Sequence, residues 1–136
     1  MKPIICLLID DDAEEAEIFH YALEELNRPV KCVNVRSGKE AIVYLTKHPQ
    51  TVDYIFLDMN MPRMNGIECL QQLKKLEVTN SARIILYSST FLEEQKDMLL
   101  SMGAADFLAK TGSVFDLQNA LFKLFAKNEI AKLTVA

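Results

Sequence analysis

The sequence has no excess of basic charge: 15 lysines and arginines stand against 19 acids, for a formal net charge of -4. With no local basic patch either, it lacks the electrostatic footprint of a nucleic-acid binder. Cysteine is scarce, with only Cys6, Cys32 and Cys69. They are odd in number, widely spaced and contain no CxxC pair, which argues against a zinc site, redox chemistry and a disulfide framework, and for reduced cytosolic thiols. No apolar run is long enough to span a membrane. The single Lys2 before a short apolar stretch that ends in three aspartates does not make a secretory signal. The expectation is a soluble cytoplasmic protein with no nucleic-acid or membrane partner. Linker-like and low-complexity stretches are missing as well. At 136 residues, 50% of them hydrophobic, the chain is sized for one domain with a full core.

What the chain does have is a regular alternation of short apolar runs and helical patterns. The first run, Pro3 to Ile9, ends in Asp10, Asp11 and Asp12. Ala16, Phe19, Leu23 and Leu26 follow at helical spacing until Asn27-Arg28-Pro29 stops them. Lys31 to Val35 reads as a second strand, and Ser37 with Glu40 forms a capping-box signal before Ala41, Ile42 and Leu45. A third strand, Tyr54 to Leu57, closes on Asp58. A loop with Pro62 and Gly66 then leads to the helical face of Ile67, Leu70 and Leu73. Arg83 to Tyr87 is a fourth strand ending in Ser88-Ser89-Thr90, and the next helix carries Leu92, Leu99 and Met102 before Gly103 ends it. Asp106 to Ala109 is the fifth strand and ends at Lys110. Ser113 and Asp116 cap a last helix whose inward stripe is Leu117, Ala120, Leu121 and Leu124, with Phe122 and Phe125 outside it. Five strands alternating with five helices imply an α/β, doubly wound parallel sheet with helices on both faces. The domain is expected over residues 3–127, with 128–136 as a tail that could extend the last helix.

In such a fold all strands end at one edge, where ligands bind. That edge collects carboxylates from Asp10, Asp11 and Asp58, a hydroxyl from Ser88 and an ammonium from Lys110, while the second strand adds nothing obvious. Converging acids raise one another's pKa unless a cation joins them, and Mg2+ is the usual hard partner. An oxygen nucleophile, a metal and fixed cationic and hydroxyl groups are what phosphoryl transfer onto a carboxylate requires, with Asp58 as nucleophile.

These residues resemble the receiver domains of two-component response regulators, the CheY-like family, across about residues 3–127. The resemblance rests on the acids after the first strand, on Asp58-Met59-Asn60-Met61-Pro62 with Gly66, on Ser88-Ser89 and on Ala109-Lys110. It implies a flavodoxin-like strand order, 2-1-3-4-5. It also implies that Asp58 is the phospho-acceptor, that Asp11 and Asp58 ligate Mg2+ directly with the backbone carbonyl of Asn60, and that Asp10 helps through water. Ser88 would bond a phosphoryl oxygen and Lys110 would pair with the group, while Ser88 and Phe107 would move together as the switch. A histidine kinase or histidine phosphotransfer protein would supply the phosphate. A downstream protein would read the face made by helix four, strand five and helix five, where Phe122 is the candidate contact. The family usually follows its lysine with proline, often through a cis bond. Here Thr111 follows, and a cis bond before a non-proline residue costs about 3 kcal/mol.

With no effector domain after the fifth helix, output is expected through protein contacts, as a switch and not a turnover enzyme. A Mg-dependent aspartyl-phosphatase would need a second acid two residues after its nucleophile, where this chain has Asn60, and an amide cannot shuttle a proton. An FMN binder would need a phosphate-cradling loop after the first strand, where three aspartates would repel the phosphate. A receiver that acts as an interaction module without phosphorylation is the remaining alternative. His20 and His48 lie far from the cluster and receive no function. The methionines read as packing, with Met59, Met61 and Met64 set apart by their position on the loop over the site.

Overall fold

Near-continuous apolar runs with little alternation are the mark of strands buried on both faces, and such runs form the centre of the molecule. The computed structural model describes residues 2–49, 52–63 and 65–135. Five strands, β1 (Ile4–Ile9), β2 (Val30–Val35), β3 (Tyr54–Asp58), β4 (Arg83–Ser88) and β5 (Asp106–Ala109), alternate with five helices. The helices are α1 (Ala13–Glu24), α2 (Gly38–Lys47), α3 (Gly66–Lys74), α4 (Glu93–Ser101) and α5 (Val114–Val135), with a short 3-10 turn at Glu77–Ser81. All strand pairs are parallel, in the order β2-β1-β3-β4-β5. This is the doubly wound, flavodoxin-like sheet expected from the sequence.

Alternate strand residues feed two cores. Cys6, Leu8, Phe56, Ile85 and Tyr87 pack with Phe19 and Leu23 of α1 and Leu117, Leu121 and Phe125 of α5. Leu7, Ile9, Ile55, Leu57, Ile84 and Leu86 pack with Ala41 and Leu45 of α2, Leu70 and Leu73 of α3, and Leu99 of α4. The central strands β1, β3 and β4 are therefore dry on both faces and carry their polar chemistry at their ends, whereas the edge strand β2 leaves Lys31 and Val33 exposed. The three cysteines are free thiols. No helix among the described residues is long and apolar enough to cross a membrane.

The starts of α1, α2 and α3 are set by side-chain caps. Asp12 accepts from the Glu14 and Glu15 amides, so the third aspartate of the run is the N-cap of α1. Ser37 caps α2 through the Glu40 amide, and Asn65 caps α3 through the amides of Ile67 and Glu68. Gly103 ends the fourth helix with φ +111°, a conformation open to glycine and strained for other residues.

Two local expectations are corrected. Leu92 is the N-cap of α4 and is exposed, outside the buried face that Leu99 supplies. Phe125 is 1% exposed and lies within the core, edge-on to Tyr54 at 4.8 Å between ring centroids. A stripe sized for the sheet alone is too narrow, because α5 also packs beside α1: Gln118 donates to the Glu25 carbonyl at 3.0 Å, and Arg28 lies over the Phe125 ring. Past Asn128 the last helix continues without a break to Val135, the extension that the sequence left open for the tail. Asn128 is buried there and its Nδ2 donates to the Tyr54 hydroxyl at 3.1 Å, while Arg28 pairs with Glu129. No peptide bond among the described residues is cis, so Lys110–Thr111 is trans.

Candidate functional site

Asp10 is the first residue beyond β1, and its amide still bonds the Val35 carbonyl at 3.0 Å, which fixes it at the sheet edge. Its side chain is buried. Oδ1 accepts from the Asp12 amide at 2.9 Å, whereas Oδ2 is buried with no partner among the described residues. Burial, reinforced by nearby Asp58 and Glu15, pushes the Asp10 carboxyl up to about 7, against the pull of the Asp12 amide. A carboxylate in that position calls for a proton or a cation.

Asp58 is the last residue of β3 and equally buried. Its Oδ1 accepts from the Asn60 amide at 2.8 Å and stands 2.7 Å from Lys110 Nζ. Lys110 extends β5 by one residue, its amide bonding the Ser88 carbonyl at 2.8 Å. The same ammonium meets Glu15 Oε1 and Oε2 at 2.9 and 3.3 Å and lies 5.2 Å from the Tyr87 ring centroid. Burial works against the lysine's charge, yet the hydrogen bonds from Asp58 and Glu15 outweigh it, and its pKa is raised above the ordinary lysine value.

Ser88 closes β4 opposite Ala109 in the register. Its hydroxyl has two acceptors, the Thr90 carbonyl at 2.8 Å and Asn60 Oδ1 at 3.1 Å. Asn60 Oδ1 also receives the Ser89 amide at 2.9 Å and the Ser89 hydroxyl at 3.1 Å. The Asn60 side chain thus ties the β3 loop to the β4 end. Phe107 is half-buried on β5 in the core shared by α2, α3 and α4, edge-on to Phe91 at 5.1 Å, with Lys96 Nζ 5.5 Å from its centroid.

The carboxylates gathered most tightly are Asp10, Glu15 and Asp58, whose oxygens lie within 4.8 Å of one another. Asp11 stands outside that group; it is half-buried and its backbone carbonyl accepts from Arg36 Nη2 at 3.2 Å. Sequence reasoning missed Glu15, because an acid in the first turn of a helix is ordinarily read as a complement to the helix dipole. The available signal was the cap: with Asp12 starting α1 directly at the acidic strand end, the first turn of that helix has to lie over the site. Met61 is buried and Met59 half-buried within the core, with the Met59 side chain against Gly66; Met64 lies outside the described residues. His48 stacks on Tyr44 at 4.3 Å between ring centroids, and the group of Asp10, Glu15 and Asp58 includes no histidine among the described residues.

Hard carboxylate oxygens, one of them buried and unsatisfied, suit a hard divalent cation such as Mg2+. The donor set therefore fits the metal expected from the sequence.

A family model described as the response regulator receiver domain matches residues 6–122. The chain belongs to the response regulator receiver domains. It is a receiver domain of two-component signalling, and receiver domains pair with histidine kinases. Among curated relatives, the receiver is 33% identical over 97 residues to a protein named Probable histidine kinase 6 of Oryza sativa subsp. japonica, covering 68% of this chain and 10% of the kinase. It spans 23%, 33% and 47% of the next three, so their whole-protein activities do not carry over to it. Among solved structures, chemotaxis protein CheY4 of Vibrio cholerae superposes with a TM-score of 0.76 at 21% identity, covering 93% of this chain and 98% of that one. The Mn2+-bound form of response regulator Rcp1 gives 0.72 at 19% identity, covering 86% and 88%. At those identities the structures speak for the receiver fold.

Proposed function

We propose that this receiver is a phospho-accepting switch of a two-component phosphorelay, taking a phosphoryl group onto Asp58 from a histidine kinase or a histidine phosphotransfer protein. The observation that carries the reading is the Lys110 ammonium 2.7 Å from a buried Asp58 carboxylate, beside the unpartnered oxygen of Asp10. In the transfer, an Asp58 carboxylate oxygen forms a bond to phosphorus as the bond from phosphorus to the donor breaks, and the electron pair leaves with the donor. Lys110 holds the nucleophile in place and then neutralises charge on the phosphoryl oxygens. Ser88 would turn its hydroxyl from Asn60 to a phosphoryl oxygen, and Phe107 would follow as the second element of the switch.

Mg2+ would be held by Asp10, Asp11 and Asp58 with the Asn60 backbone carbonyl, and when bound it supplies positive charge to the transferring phosphoryl group. That the related Rcp1 has a Mn2+-bound form supports a divalent cation here. Asn60 offers an amide two residues after Asp58, and its oxygen is already taken up by Ser88 and Ser89. An amide has no proton to exchange as a general acid, which supports a switch over a phosphatase. Output would pass to a protein partner through α4, β5 and α5, where Phe115 and Phe122 are exposed.

The test is intact-mass spectrometry after incubation with acetyl phosphate and Mg2+. One added phosphoryl group is expected in the wild type and none in Asp58→Asn. Equal labelling of Asp58→Asn, or full labelling in excess EDTA, would sink the reading.

A further inference from the structure

An ammonium has three N–H donors, and Lys110 has three carboxylate oxygens around it: Asp58 Oδ1 at 2.7 Å, Glu15 Oε1 at 2.9 Å and Glu15 Oε2 at 3.3 Å. Its donors are fully used, so an incoming phosphoryl oxygen can reach Lys110 only by displacing one of them. The two acids differ in what they can do. Asp58 ends a central strand with its side chain 2% exposed, and it is the group that receives the phosphoryl. Glu15 sits on the first turn of α1 with its side chain 36% exposed, and can rotate into water.

Charge points the same way. Asp10, Glu15 and Asp58 crowd their oxygens within 4.8 Å, and the Lys110 ammonium is shared between two of them, Glu15 and Asp58. Phosphorylation replaces the one charge of Asp58 with the roughly -1.5 to -2 of a phosphoryl group, so the site becomes more anionic when it is switched on. Of the two carboxylates that hold Lys110, the one open to water is Glu15.

We propose that Glu15 is the resident counter-ion of Lys110, holding the ammonium in the unphosphorylated state and competing with the phosphoryl group for it. The inference deepens the reading of Asp58 as phospho-acceptor and rests on it. Glu15 acts here through Lys110 as a positioning residue that sets how strongly the site accepts a phosphoryl group.

The experiment is titration of the wild type and Glu15→Gln with beryllofluoride, a stable phosphoryl mimic, at saturating Mg2+ so that any change in metal affinity drops out. Fluorine NMR follows binding, and proton–nitrogen NMR follows the Lys110 ammonium. Glu15→Gln is expected to bind beryllofluoride about threefold to tenfold more tightly, the scale of a charge-assisted contact that no longer competes. The Lys110 ammonium signal should differ between the two proteins before beryllofluoride is added and coincide once it is bound, because Glu15 has then left. Unchanged or weaker binding by Glu15→Gln overturns the inference, and so does an ammonium signal that still differs equally in the two complexes. Failure of both proteins to bind at all would instead sink the phospho-acceptor reading, and the inference with it.

Discussion

Lys110 and Asp58 close a 2.7 Å ion pair across the sheet edge, although their strands β5 and β3 are separated by β4. The pair links three consecutive strand ends, since the Lys110 amide is also bonded to Ser88. Removing the lysine therefore has a structural and a functional consequence, and they separate. Lys110→Ala leaves Asp58 buried beside Asp10 without its cation, which should cost roughly 3–5 kcal/mol of stability in EDTA, measured by urea unfolding. Mg2+ affinity should be unchanged or tighter, because a like charge has gone, while the response to phosphoryl donors weakens. A large loss of Mg2+ affinity on calorimetric titration would contradict the role given to the ammonium.

The Asp10 carboxyl, raised from 3.8 to about 7, makes a signed prediction about pH. Between those values the folded protein keeps a proton that the unfolded chain has already released. Stability of the metal-free protein should therefore fall as pH rises from about 4 to about 7 and level off above, the opposite of the usual carboxylate behaviour. Asp10→Asn should flatten this component, which denaturation midpoints of the two proteins across the window would reveal. Mg2+ requires the ionised acid, so its affinity should climb as pH rises towards about 7 and level off above. A wild type that loses no more stability than Asp10→Asn over the window would refute the assignment.

Phe122 and Phe125 lie three residues apart on α5 and should behave oppositely. Phe125 is 1% exposed and Phe122 is 60% exposed. Phe125→Ala should cost roughly 3–5 kcal/mol through its cavity. Phe122→Glu should leave folding and Asp58 phosphorylation intact, within about 0.5 kcal/mol, yet weaken self-association or partner binding, read by sedimentation and by pull-down with the partner. Unfolding of Phe122→Glu would return that residue to the core.

The segment after Lys127 is proposed to belong to the folding unit. Asn128 is buried against the Tyr54 hydroxyl, and its loss leaves that hydroxyl without its donor. Asn128→Ala should cost roughly 1–3 kcal/mol, and less in a Tyr54→Phe background. Truncation after Lys127 should lower the thermal midpoint; a truncated protein as stable as the full chain would restore the boundary at 127.

The sheet, its helices and the acids at its edge were legible in the sequence because those signals are local. Apolar runs such as Ile4–Ile9 and Tyr54–Leu57, stops such as Asn27-Arg28-Pro29 and caps such as Ser37 with Glu40 depend on neighbours a few residues away, and parallel winding then sends every strand end to one edge. Asp10, Asp11, Asp58, Ser88 and Lys110 could be named from that alone, although Asp11 stands outside the tightest carboxylate group. Tertiary structure decided which of them touch. Whether Glu15 complements a helix dipole or grips Lys110, 95 residues away, depends on where α1 lies over the sheet, and Asp12 and Glu15 look alike until that placement separates a helix cap from a counter-ion. Phe125 reads as surplus on its own helix because periodicity measures one helix against one face, whereas α5 meets both the sheet and the end of α1. Long-range side-chain partners such as Glu15 with Lys110 and Asn128 with Tyr54 leave no mark on local spacing, since the chain between them sets only that they can meet and packing sets that they do.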